Sequence, residues 1–88
     1  MSTNDWEFSN EPWWDEALQA MKFILEKADS YCTCAISQTV LNDYFKTEDS
    51  RDAAVENYRE QSDEIRLLAI RLIQDGLSNG EGVFFITS

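Results

Sequence analysis

Between residues 50 and 76 the apolar positions Ala54, Val55, Tyr58, Ile65, Leu68, Ala69, Leu72 and Ile73 recur at steps of three, four and seven. That spacing places them along one side of an α-helix and is the strongest periodic signal in the chain. It predicts one long helix from Arg51 to Asp75, about 37 Å at ~1.5 Å per residue. Ser50 suits its N-cap, because a serine hydroxyl accepts from a first-turn amide, and Asp52 puts negative charge where the helix dipole favours it. Gly76 can take the left-handed conformation that closes a helix. Leu67 and Ile70 add apolar surface after Ile65, so the later half is expected to be buried around most of its girth. Gln61 and Ser62 interrupt the stripe, and the earlier half is expected to be more exposed.

The rest of the chain is expected to cover this helix. Residues 1–5 are polar and predicted to fray. Trp6 to Ser9 alternate apolar with polar, as a short edge strand does, and Asn10-Glu11-Pro12 make a turn. Pro12 fits the first position of a helical turn continuing through Trp13, Trp14, Asp15 and Glu16. The stretch from Trp14 to Leu25 is ambiguous. Trp14, Ala17, Leu18, Met21, Ile24 and Leu25 fit a helix, Met21, Phe23 and Leu25 fit a strand, and propensity favours the helix. Tyr31 to Ile36 is rich in strand formers, with Cys32, Cys34 and Ile36 on one face. Ser37 caps a short helix through Lys46, and after the turn at Leu77–Gly82 the run Val83–Ile86 forms a closing strand.

Eighty-eight residues are expected to make one domain. Seventeen acidic residues against seven basic give a net charge of −10, which disfavours direct binding to nucleic acid or to anionic membranes and favours basic partners. No apolar run approaches the roughly 20 residues that span a bilayer, and the N-terminal residues lack the pattern of a secretory signal. A cytoplasmic location is the expectation, and Cys32 and Cys34, as small hydrophobes, suit a reducing compartment.

Catalytic constellations are scarce. With no histidine the commonest general base near neutral pH is missing, as are the Ser-His and Cys-His pairs. Cys32-x-Cys34 lacks the spacing of a zinc site and any second pair. Ser78 to Gly82 follows a helix and precedes a strand, the reverse of a phosphate-binding loop. Asp49, Asp52 and Glu56 lack the interleaved ligands and central glycine of a calcium loop. No metal or cofactor is expected, and an enzyme built on carboxylates alone is the least favoured reading. The unusual feature is the outer side of the long helix. Asp52, Glu56, Glu60 and Glu64 are spaced by four, with Asp63 alongside, so like charges stack up one ridge; Arg59 and Arg66 are expected to relieve part of it. Such a run usually means only a solvated face. Otherwise it docks on a basic partner or imitates a phosphate backbone. Trp13 is the other candidate contact: Trp14 suits a core position, whereas Trp13 either stands on the surface as an interface anchor or packs under the N-terminal arm.

Many of these positions fall in step with a known pattern. Phe8, Trp14-Asp15, Met21, Phe23, Cys34-x-Ile36, Val40-Leu41, Ala54-Val55, Tyr58, Ile65, Ala69, Leu72-Ile73, Gly82 and Val83 resemble the domain-of-unknown-function 1488 family of small bacterial proteins. The resemblance covers roughly Trp6 to Ile86 and rests on no single motif. It implies an α+β fold: a small antiparallel sheet of three to four strands, a β-hairpin plus the C-terminal strand, packed against one short and one long helix. Gln19 to Leu25 then becomes a strand paired with Tyr31 to Ile36. The chain departs from the family in having Ala28-Asp29-Ser30 where that turn usually carries glycine. The resemblance supplies no activity. The functional expectation is a non-enzymatic protein-binding or regulatory module, its partner another protein or a second copy of the chain. The alternative is a nucleic-acid-mimicking inhibitor of phage or mobile-element origin acting through the acidic helix.

Overall fold

The computed structural model describes residues 6–78, 80 and 82–86; the expected fraying of residues 1–5 lies outside them. Five strands and three helices follow one another as β1 (Glu7–Phe8), β2 (Trp13–Asp15), β3 (Ala20–Lys27), β4 (Ser30–Ser37), α1 (Gln38–Phe45), α2 (Arg51–Glu60), α3 (Ser62–Asp75) and β5 (Phe84–Ile86). The strands form one mixed sheet in the order β1-β3-β4-β5, with β2 also on β3. The fold is α+β, as the resemblance implies.

The stretch that propensity assigns to helix is strand β3. Its partner β4 faces it in continuous register, Met21 opposite Ile36, Phe23 opposite Cys34 and Leu25 opposite Cys32. Alternation puts Met21, Phe23, Leu25, Cys34 and Ile36 on one face, where they meet Leu41, Ala54, Tyr58, Ile65 and Ala69 from the helices. Burying that row outweighs the few tenths of a kcal/mol per residue by which Gln, Glu and Lys prefer a helix. Lys27 and Ser30 close the hairpin around Ala28 and Asp29, and Ala28 takes φ +54, a region that favours glycine. Ala28→Gly should therefore stabilise the protein by about 1 kcal/mol, measured by urea unfolding.

Trp13–Asp15 is a strand and not a helical turn. Together β1 and β2 form one interrupted edge. Phe8 pairs with Leu25 and Trp13 with Lys22, so five steps on the edge oppose three on β3. The surplus bulges out at Asn10, Glu11 and Pro12; proline has no amide to donate, so the ladder breaks there. Ser9 makes the last backbone bond before the gap, its amide donating to the Ile24 carbonyl at 2.9 Å.

The closing strand also differs from expectation. It pairs parallel with β4, Cys34 with Phe84 and Ile36 with Ile86. Parallel neighbours need a long crossover, and the three helices supply it. The caps fall where the sequence places them. Ser37 Oγ accepts from the Val40 amide and Ser50 Oγ from the Ala53 amide, both at 3.1 Å. Gly76 ends α3 with φ +67.

The long helix is not continuous. At Gln61 the backbone moves to φ −116 and ψ 27, ending α2 and starting α3. Between Tyr58 and Ile65 no apolar side chain ties the rod to the core, and its two halves have different neighbours: α2 packs chiefly on α1, α3 on β5. The earlier half is as well seated as the later one, with Ala54, Asn57 and Tyr58 buried, whereas Leu67 in α3 is 46% exposed. Asn57 and Asn42 (8% and 2% exposed) are the buried polar residues beneath α2. Asn42 Nδ2 donates to the Ser50 carbonyl at 3.0 Å, while its Oδ1 accepts from Thr47 Oγ1 at 3.1 Å and Asn57 Nδ2 at 3.2 Å.

Candidate functional site

The acidic side chains singled out in the sequence all stand in solvent. Asp52, Glu56 and Glu60 lie on α2, Asp63 and Glu64 on α3, and each is exposed. The break at Gln61 falls between Glu60 and Glu64, so the ridge is divided between two helices. Neither arginine expected to relieve it does so. Arg66 Nη1 donates instead to the Trp6 carbonyl at 2.8 Å, pinning the edge strand to α3, and Arg59 has no carboxylate partner among the described residues. Among the described residues Glu64 is the one of the five acids that is engaged, accepting from Tyr44 Oη at 2.9 Å, a bond that raises the tyrosine pKa above its ordinary value.

Trp13 lies elsewhere. In β2 the side chains alternate, so Trp14 is half-buried against the core, while Trp13 faces outward beside Lys22 and stays 40% exposed. The helices cover the other face of the sheet. Trp13 therefore stands on the sheet and the acidic residues on the helices, and of those acids Asp52 lines a cleft together with Trp14.

Two clefts border the edge strand. One, of about 360 Å³, is polar; Trp14, Gln19 and Gln38 line it, and the Arg51–Glu16 ion pair at 3.0 Å lies across it. Gln19 there takes φ +49. The second, of about 390 Å³, is mostly apolar and was not foreseen in the sequence. It opens where the edge bulge faces the junction of α2 and α3. Phe8, Pro12 and the Tyr58 ring form its walls, Ser62 lies at the junction, and Glu11 and Arg59 complete its lining. Its deep end joins an aromatic group, Phe8 packing edge-on to Phe23 at 5.8 Å between ring centroids and to Tyr58 at 6.3 Å. The sequence signals for this cleft are weak: a proline after a short edge strand, and a gap of six residues in an apolar stripe.

Among the described residues no group of three or more Cys, Asp or Glu side chains is placed to hold a metal ion. Cys32 and Cys34 are free, and burial pushes the Cys34 thiol up to about 12, far from the thiolate that a nucleophile needs. No helix of the described residues is long and apolar enough to cross a membrane.

The comparison with protein families settles the kinship. A family model described as "Protein of unknown function (DUF1488)" matches residues 7–86. The chain belongs to that family. A crystal structure of a protein of unknown function from the same family, from Shewanella loihica PV-4, is similar at a TM-score of 0.83. The two share 21% sequence identity, over 98% of this chain and 94% of that one, which makes the likeness one of fold. A search of the curated proteins finds no match. Membership in the DUF1488 family accounts for the apolar positions, Phe8 through Ile86, and assigns no chemistry to the clefts or the acidic face.

Proposed function

We propose that this DUF1488 protein is a non-enzymatic cytoplasmic module that binds a basic partner protein through the acidic side of α2 and α3. One observation carries the reading: Asp52, Glu56, Glu60, Asp63 and Glu64 are exposed together, and no cation among the described residues pairs with any of them. A row of uncompensated carboxylates costs folding stability, because like charges one turn apart repel, and that cost is recovered when a basic surface docks. The inert buried thiol and the two free cysteines fit a binding role in a reducing compartment. Imitation of a phosphate backbone is supported less well, since a regular ladder of charge needs an unbroken helix and Gln61 interrupts this one.

Reversing Glu56, Glu60 and Glu64 to lysine tests the reading. The native protein, immobilised, should retain a basic partner from host lysate at about 50 mM salt and release it by about 500 mM, as screening of exposed charge requires. The triple variant should retain none, with an unchanged circular dichroism spectrum. Retention by the variant equal to that of the native protein would refute the proposal.

A further inference from the structure

We infer that the apolar cleft between the edge bulge and the α2–α3 junction captures the carboxy-terminal residue of a partner chain, one ending in an apolar side chain preceded by basic residues. The inference rests on the protein-binding reading above and names the feature of the partner that is recognised.

Two departures from regular structure meet at this place. On one side, Asn10, Glu11 and Pro12 are pushed out of the sheet edge and join no ladder pair. On the other, the helical rod breaks at Gln61. Each irregularity interrupts a regular run of backbone bonding and together they frame a recess, the relation that bulges commonly have to binding sites. Its volume of about 390 Å³ accommodates a ring-bearing or branched side chain together with its own backbone.

The polar groups then select what fills it. Phe8, Pro12 and the Tyr58 ring ask for an apolar group. Arg59 stands in the lining with no carboxylate partner among the described residues, in a protein where acids outnumber bases 17 to 7. An unpaired guanidinium amid so much negative charge, beside an apolar recess, complements a ligand carboxylate adjacent to an apolar side chain. An apolar residue inside a chain carries no carboxylate of its own; a carboxy-terminal one does. Glu11, also in the lining, and the acidic side of α2 and α3 repel an acidic approach, so the residues preceding the terminus must be basic.

The probe is the tetrapeptide acetyl-Lys-Arg-Lys-Phe with a free carboxylate, compared with its carboxamide and with free phenylalanine, each titrated into ¹⁵N-labelled protein. The acid should shift the amides of Phe8 to Glu11 and Tyr58 to Ser62. The carboxamide should bind about tenfold more weakly, the value of one charge-assisted contact. Arg59→Gln, an exposed change, should erase the acid–amide difference while leaving the spectrum elsewhere unaltered. Equal binding of acid and carboxamide, or shifts confined to residues outside the cleft, would overturn the inference. So would free phenylalanine binding as tightly as the peptide, which would mark a small-molecule site. If the peptide fails here while reversal of the acidic face still abolishes partner retention, the cleft assignment falls and the binding function stands.

Discussion

Asn42→Ala should destabilise the protein by about 3 kcal/mol, among the largest effects expected of any single change outside the apolar core. The side chain sits at a crossing of three segments. Its Nδ2 holds the Ser50 carbonyl where α2 begins, and its Oδ1 receives Thr47 and Asn57. Asn57 Nδ2 also donates to Thr47 Oγ1 at 2.7 Å, so the group is a connected network and not a set of isolated bonds. Alanine strands those partners in a site of which 2% of the Asn42 surface reaches solvent, and each stranded group forfeits its hydration as well as its bond. Gln38 provides the control. Its Nε2 donates to Asp49 Oδ1 at 3.0 Å on the surface, where water replaces a lost partner, and Gln38→Ala should cost less than about 0.5 kcal/mol. Urea denaturation of both variants, with unchanged m-values, checks the contrast.

The second large effect is alkaline unfolding. Burial raises the Cys34 thiol from 9.0 to about 12, and it raises the Tyr58 hydroxyl from 10.0 as well, with the neighbouring Cys34 adding to the shift. The sign follows from which state holds the proton. Between the unfolded and the folded pKa the unfolded chain has released its proton and the folded one has not, so deprotonation favours unfolding. Stability is thus whole below about pH 9 and falls as pH rises through the interval, at up to about 1.4 kcal/mol per pH unit for each group. Together the two groups remove about 4 kcal/mol by pH 11 and about 7 by pH 12, so a domain holding about 5 kcal/mol is expected to unfold cooperatively between about pH 11 and 12. The Cys34→Ala, Tyr58→Phe double variant should show a much shallower dependence from pH 9 upward, read as ΔG against pH. Tyr58→Phe alone has a further consequence at neutral pH. The hydroxyl is buried without a hydrogen-bond partner among the described residues, and deleting it should stabilise the protein by up to about 1 kcal/mol.

The hairpin shows why local preference misleads. Residues from Trp14 to Leu25 carry a respectable helical spacing and helix-favouring composition, yet Met21, Phe23 and Leu25 end on one buried sheet face. Propensity differences of tenths of a kcal/mol per residue lose to the burial of whole side chains, worth about 2 kcal/mol each. The family resemblance carried that information and the spacing alone did not. The long helix shows the converse. Its stripe was legible, and Ala54, Tyr58, Ile65 and Ala69 are buried as the period requires. The gap at Gln61 and Ser62 was legible too, but not that the rod would break there, since a bend depends on what each half packs against. Asn42 and Asn57 escaped notice for a similar reason: an asparagine on an apolar side is buried only if partners meet it, and Thr47 and Ser50 are supplied by the connection between two helices.

What the amino-acid sequence determined by itself is the set of faces and ends. It marked which side of each helix is apolar, that Ser37, Ser50 and Gly76 terminate helices, that acid dominates the outer side of α2 and α3, and, through its many aligned apolar positions, which family the chain joins. These are properties of a residue and its near neighbours. Tertiary structure alone decided that β5 runs parallel to β4, that Asp52 meets Trp14 across one cleft, and that an edge bulge and a helix break enclose another beside Arg59. Each of those depends on segments far apart in the chain, and a pattern read along one segment holds no record of what the fold places across from it.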